Sequence, residues 1–150
     1  MDDAYVGLGS NLGDKRKNIS DAIRLLGDSC DVVEASPIYE TEPVDMDGGE
    51  MFLNCVLKLR TKLTPRKLLD NLLDIEQRLG RVRSSRNSPR TIDIDLLFYG
   101  DIVLDEAGLS LPHPRLHRRM FVLKPLNDIA PELIHPLIGK TVKEMLADIS

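Results

Sequence analysis

From Phe52 to Gly80 the chain reads F-L-N-C-V-L-K-L-R-T-K-L-T-P-R-K-L-L-D-N-L-L-D-I-E-Q-R-L-G, and its hydrophobic period changes once along the way. Leu53, Cys55, Leu57 and Leu59 form an unbroken apolar alternate row, opposite Phe52, Asn54, Val56, Lys58 and Arg60. That period of two predicts a strand over Phe52–Thr61 with one face turned to a core. Leu68, Leu72, Ile75 and Leu79 then recur at helical spacing, with Thr64 as N-cap, Pro65 at the first helical position and Gly80 just past the end. A strand running directly into a well-capped helix is the unit around which the rest of the chain must be arranged.

Upstream, Ala4 to Leu8 reads as a first strand entering the turn G-L-G-S-N-L-G-D, and Ile19, Ala22, Ile23 and Leu26 mark a helix that ends at Gly27. Val32 to Thr41 is extended, with Pro37 confining it to an edge or an irregular stretch. Downstream, Pro89 to Tyr99 (P-R-T-I-D-I-D-L-L-F-Y) is a strand closed by the Gly100-Asp101 turn. The Pro112-His113-Pro114 unit forces a kinked, extended backbone. Thr141-Val142-Lys143-Glu144 matches a capping box for a closing helix that packs Val142, Met145, Leu146 and Ile149. The order β-α-β-β-α-β predicts an α+β fold, a ferredoxin-like split βαβ sandwich with a mainly antiparallel sheet. The alternating faces suggest helices covering one side of the sheet and a ligand meeting the other.

The strand at Pro89–Tyr99 carries the chemistry. Asp93, Asp95 and Leu97 share one face, and Ile92, Ile94 and Leu96 the other. Two carboxylates in so apolar a run cost stability unless something cationic meets them. Arg81, Arg83, Arg86 and Arg90 lie just upstream, and a divalent metal holding a polyphosphate would use both acids.

Composition narrows the partners. A chain of 150 residues, 42% hydrophobic, can bury one sizeable core, so a single domain over 1–150 is expected. The net charge of −4 argues against nonspecific nucleic-acid binding. Positive charge is nevertheless concentrated, at Arg78 to Arg90 and again at Arg115, Arg118 and Arg119, which suits a phosphorylated small molecule better than a long polyanion. Two cysteines make no disulfide framework, no cationic leader opens the chain, and no apolar run approaches a membrane span. A cytoplasmic protein is expected.

Several motifs have structural alternatives. The Gly7–Gly13 turn lacks Rossmann and P-loop spacing and reads as a strand-to-helix turn. His113 and His117 stand at i, i+4, but Pro114 intrudes and no third zinc ligand is evident, so a phosphate-facing or capping His113 is the better reading. Phe52 and Asn54, on one strand face, offer an aromatic plate beside an amide that donates and accepts; this suits a flat heterocycle, as the row also suits solvent. Glu76 shares a helix row with Leu69, Leu72 and Leu73 and is expected to be half-buried, with Arg81 and Arg83 as natural ion-pair partners.

Six motifs then occur in a fixed order: G-S-N-L-G (9–13), S-P-I-Y-E-T-E-P (36–43), F-L-N (52–54), E-Q-R-L-G-R-V-R (76–83), P-R-T-I-D-I-D (89–95) and L-P-H-P-R-L-H-R-R-M-F-V-L (111–123). In that order they resemble 6-hydroxymethyl-7,8-dihydropterin pyrophosphokinase, the folate-pathway enzyme family. The resemblance implies a ferredoxin-like fold, ATP as co-substrate, two magnesium ions, and transfer of the terminal diphosphate to the pterin's hydroxymethyl oxygen with release of AMP. It implies that Asp93 and Asp95 hold the metal, and that Arg81 and Arg90 stabilise the transferring phosphates. Glu76, Arg83, Leu96, Ser110, His113 and Arg119, with Arg90, would serve ATP. Phe52 and Phe121 would stack on the pterin while Asn54 and the stretch Thr41, Glu42, Pro43 and Val44 read its polar edge. If Arg119 to Phe121 is extended, Arg119 and Phe121 share a face and one short segment touches both substrates.

Two departures from the family pattern concern loops. Arg86-Asn87-Ser88 stands where many relatives carry an aromatic residue, and Val44 to Met51 is acidic without the usual early glycine. The partners implied are two small molecules, with no nucleic acid or membrane, acting on a monomer. Some relatives are fused to a neighbouring folate-pathway enzyme, and the length here leaves room for the kinase domain alone. A ferredoxin-like RNA-binding module would stack bases on Phe52 and Phe121. It calls for clustered aromatics and a basic sheet, whereas this chain is 4% aromatic and places two aspartates on that face.

Overall fold

The computed structural model describes residues 1–42, 51–80 and 91–150. The elements in order are β1 (Asp2–Ser10), α1 (Lys15–Leu26), β2 (Asp31–Ala35), β3 (Tyr39–Thr41), β4 (Phe52–Thr61), α2 (Pro65–Arg78), β5 (Asp93–Tyr99), β6 (Leu104–Glu106), β7 (Leu109–Leu111), α3 (Met120–Ile129) and α4 (Val142–Ile149). A 3₁₀ turn at Leu116–Arg118 precedes α3.

The sheet runs β2-β4-β1-β5, with β3 also on β4, and its pairings are antiparallel. This is the predicted α+β sandwich. Residues 31–41 lie along one edge of β4 in two pieces because Pro37 interrupts them. Ser36 bridges the break: its N–H donates to the Val56 carbonyl, and its hydroxyl accepts from the Val56 N–H, both at 2.9 Å. The ladder is thus kept continuous across a residue that cannot donate.

The helices form where their caps were read. Thr64 Oγ1 accepts from the Lys67 N–H with Pro65 opening α2, and Thr141 and Glu144 complete a reciprocal capping box on α4. Asp14 caps α1. Gly27 ends α1 in right-handed geometry, so its freedom at positive φ is not used there.

Helices α1 and α2 bury Ile19, Ala22, Leu26, Leu68, Leu72 and Ile75 against one sheet face, represented by Val6, Leu8, Cys55, Leu57, Leu59, Ile94 and Leu96. The opposite face is not left open along its length as the alternating pattern suggested. Tyr5, Val56, Leu97 and Phe98 present apolar surface there, and Val122, Leu123 and Leu126 of α3 with Val142 and Met145 of α4 cover it. A register shift at Tyr5/Val6 puts Leu97 and Phe98 in this second core while Leu96 and Tyr99 stay in the first. Helix α3 contains Pro125, whose burial with Val122 and Leu126 offsets its poor helix propensity. Among the described residues, the cleft left on the sheet is lined by Gly7, Gly9, Asn54, Asp93 and Asp95. No helix among the described residues is long and apolar enough to cross a membrane.

Candidate active site

The floor of this cleft is built by three strands in register. Asn54 of β4, Gly9 of β1 and Asp93 of β5 lie side by side, and Val56, Gly7 and Asp95 form the next rung. The central strand therefore has no side chain between the amide on one flank and the acids on the other. A cleft of about 1210 Å³ opens over this floor.

On the acid side, Asp93 and Asp95 are half-buried and line the cleft together, as their alternation required. Arg119 Nη1 stands 3.9 Å from Asp95 Oδ2. His113 lines the same end, anchored by its own N–H to the Leu97 carbonyl at 2.9 Å, while its Nδ1 accepts from the Arg115 N–H at 3.2 Å. Its other ring nitrogen then carries the proton. Burial, then the Arg119 and Arg115 guanidiniums, push the His113 imidazole down to about 4, against an opposing pull from Asp93. A neutral N–H donor beside two arginines suits a phosphate oxygen. Ser110 lines the cleft too, its hydroxyl donating to Asp105 Oδ1 at 3.2 Å, and Leu96 supplies apolar wall.

Glu76 differs from its sequence reading. It is 2% exposed rather than half-buried, and its Oε2 accepts from the Ile94 N–H at 2.7 Å, between the two aspartates in sequence. Among the described residues β5 ends the strand order, and this carboxylate takes a ladder N–H on its outer side.

On the aromatic side, Phe52, Asn54, Thr41, Glu42 and Phe121 line the cleft. Asn54 is 7% exposed, and its Nδ2 donates to Thr41 Oγ1 at 2.5 Å, which points the carboxamide along a fixed direction. Tyr39 donates to Asp128 and lies beneath Lys124 Nζ, 5.6 Å from its ring centroid, so α3 holds the strand that carries Thr41. The extended geometry considered for Arg119 to Phe121 is not what forms. Arg119 alone is extended, as N-cap of α3, and Phe121 sits in the helix's first turn because that places Val122 and Leu123 in the core. The guanidinium then lies over the Phe121 ring at 5.4 Å, so the two still meet.

The zinc reading of His113 and His117 fails on geometry: His117 packs edge-on to His135 at 6.4 Å while His113 faces the cleft. Among the described residues no group of three or more His, Cys, Asp or Glu side chains is gathered for a metal. Pro43, Val44, Arg81, Arg83 and Arg90 lie outside the described residues, as do Arg86-Asn87-Ser88. Sequence reasoning missed Gly7 and Gly9 as floor residues, having read the glycines from Gly7 onward as a turn. Their alternation in step with Val56 and Asn54 was the available signal.

The chain matches known proteins along nearly its whole length. The family model described as 7,8-dihydro-6-hydroxymethylpterin-pyrophosphokinase matches residues 5–131. The chain is similar to 2-amino-4-hydroxy-6-hydroxymethyldihydropteridine pyrophosphokinase of Methylorubrum extorquens, 43% identical over 99% of this chain and 94% of that protein. It is likewise similar to the protein of that name from Aquifex aeolicus, 40% identical over 96% and 90%. Folic acid synthesis protein FOL1 of Dictyostelium discoideum is 41% identical over 94% of this chain, which spans only 22% of that longer protein. A crystal structure of a Plasmodium falciparum HPPK-DHPS triple mutant with pteroate superposes with a TM-score of 0.79 at 17% identity, over 98% of this chain and 43% of that one.

Proposed function

This chain belongs to the 7,8-dihydro-6-hydroxymethylpterin-pyrophosphokinase family, and we propose that it transfers the terminal diphosphate of ATP to the hydroxymethyl oxygen of 6-hydroxymethyl-7,8-dihydropterin. AMP is the second product. The observation that carries the reading is the shared floor: an acid pair on β5 and an aromatic-amide pair on β4 flank a side-chain-free β1 in one cleft. Arg119 connects the halves, beside Asp95 and over Phe121.

Asp93 and Asp95 fit magnesium by the chemistry of their donors. Hard carboxylate oxygens, on two side chains among the described residues, and an open cleft for phosphate match an ion that keeps water and phosphate in its shell. We assign two such ions, which when bound would neutralise phosphate charge and polarise the attacked phosphorus. Phe52 and Phe121 stack on the pterin, and Asn54 with Thr41, Glu42, Pro43 and Val44 reads its polar edge. Arg119, His113, Ser110, Leu96 and Arg83 serve ATP, and Glu76 supports that side through β5. Arg81 and Arg90 meet the charge on the transferring phosphates.

The hydroxymethyl oxygen attacks the β-phosphorus in line and an oxygen–phosphorus bond forms; the bond from that phosphorus to the AMP oxygen breaks with its electron pair left on AMP, and the hydroxyl proton passes to solvent. Positioning and charge neutralisation suffice for such a transfer, with little covalent work for the protein. Residues 1–150 act in this reading as a single pyrophosphokinase domain, a monomer in the cytoplasm. The test is to incubate the chain with ATP, magnesium and the hydroxymethylpterin and identify the nucleotide product. AMP is expected; ADP would replace diphosphoryl by single phosphoryl transfer.

A further inference from the structure

Gly7 and Gly9 occupy the same face of β1, yet a side chain at each would meet different things. A Cβ at Gly7 would sit 3.6 to 3.9 Å from side-chain carbons of Leu97, ordinary contact distances. A Cβ at Gly9 would lie 2.9 Å from Asn54 Oδ1, closer than such atoms approach, and 3.7 Å from Phe52 Cδ1. The Asn54 carboxamide therefore lies across β1 in space that only glycine leaves open. Its Nδ2 is tied to Thr41 Oγ1, so a shift of Oδ1 off Gly9 pulls against that bond. β1 is extended at Gly9, so no backbone requirement explains the glycine.

We propose that Gly9 is a positioning residue for the heterocycle: by lacking a Cβ it lets Asn54 lie flat with Oδ1 held as a fixed acceptor for a ring N–H. This rests on the pterin reading of the site and adds to it the element that orients the amide. Because the atom in the way is the end of a side chain, alanine at Gly9 displaces the amide rather than the strand. The fold is spared and recognition is not.

The test is a double-mutant cycle with dihydropterin and a nonhydrolysable ATP analogue as separate probes. Gly9→Ala should weaken dihydropterin binding by about tenfold or more and change nucleotide binding by less than about twofold, with the melting temperature unchanged or slightly raised. In an Asn54→Ala background the same Gly9→Ala change should alter dihydropterin binding by less than about twofold, since the amide it displaces is gone. Thr41→Val, which removes the tether without touching β1, should give the same pterin-selective loss and the same non-additivity with Asn54→Ala. Equal loss in both backgrounds, equal loss for both probes, or a large fall in melting temperature for Gly9→Ala would overturn the proposal. Wild-type protein that takes up no dihydropterin would overturn the functional reading itself, a different outcome from normal binding by Gly9→Ala.

Discussion

Glu76 Oε2 accepts a hydrogen bond from the Ile94 N–H at 2.7 Å, so a carboxylate on α2 fixes the residue that separates Asp93 from Asp95. The acid pair is aimed into the cleft by β1 on one side of β5, and Glu76 supports the strand on the other.

Replacing Glu76 by Leu leaves the buried Ile94 N–H without that acceptor, at a cost of about 1 to 3 kcal/mol. Urea unfolding should show a lower midpoint at unchanged slope, with turnover reduced as the acids lose their support. Glu76→Gln keeps an acceptor and should recover most of the stability. If Leu and Gln behave alike, the bond to Ile94 is not what holds the strand.

Asp95→Asn separates a metal site from an ion network. Asp95 is half-buried with Arg119 3.9 Å away, a distance and exposure at which a pair contributes little. The metal reading requires the ligand-free variant to melt at or slightly above the wild-type temperature, since one of two adjacent carboxylates is removed. Activity should fall by more than about 10²-fold. Magnesium with a nonhydrolysable ATP analogue should raise the melting temperature of the wild type and raise that of the variant much less. Near wild-type turnover would sink the metal assignment.

Arg81→Ala and Arg90→Ala should lower kcat more than they raise KM for the pterin, because the charge they meet shifts during transfer. Steady-state kinetics with each substrate varied reads this out. A melting temperature that falls in step with activity would make them structural instead.

His135 predicts the direction of acid sensitivity. Its buried ring accepts at Nδ1 from the Leu137 and Ile138 N–H groups, at 3.2 and 3.1 Å, and burial, with His117 nearby, pushes it below its ordinary 6.5. Below that value the unfolded chain binds a proton that the folded chain refuses, so stability is full above 6.5 and declines as pH falls. His113, held at about 4, adds to the same slope between 6.5 and 4. Unfolding free energies measured across that range should flatten in His135→Asn and, separately, in His113→Asn. An unchanged pH dependence in both would contradict the assignment.

How much of this was legible beforehand varies by element. The α2 caps, the capping box at Thr141 and the row Leu53-Cys55-Leu57-Leu59 were read correctly because each is written within a few residues, in caps and in periods of two or 3.6. Helix α3 was not. Pro125 and the proline-rich approach mark a break locally, and only burial of Val122, Leu123 and Leu126 against Phe98 and Val56 makes helix the better state.

The sequence by itself determined that Asp93 and Asp95 share a face, because alternation in a strand is a property of the backbone. It also set which residue types are available to meet phosphate and a flat ring. Tertiary structure alone decided that Glu76 reaches Ile94, that α3 and α4 close part of the sheet's second face, and that Arg119 stands between Asp95 and Phe121. It also decided that Gly9 lies under Asn54, 45 positions away in the chain, a placement set by the pairing of β1 with β4. Such contacts depend on strand register and helix docking, which balance many weak packing terms across the whole molecule and leave no trace in any short stretch of sequence.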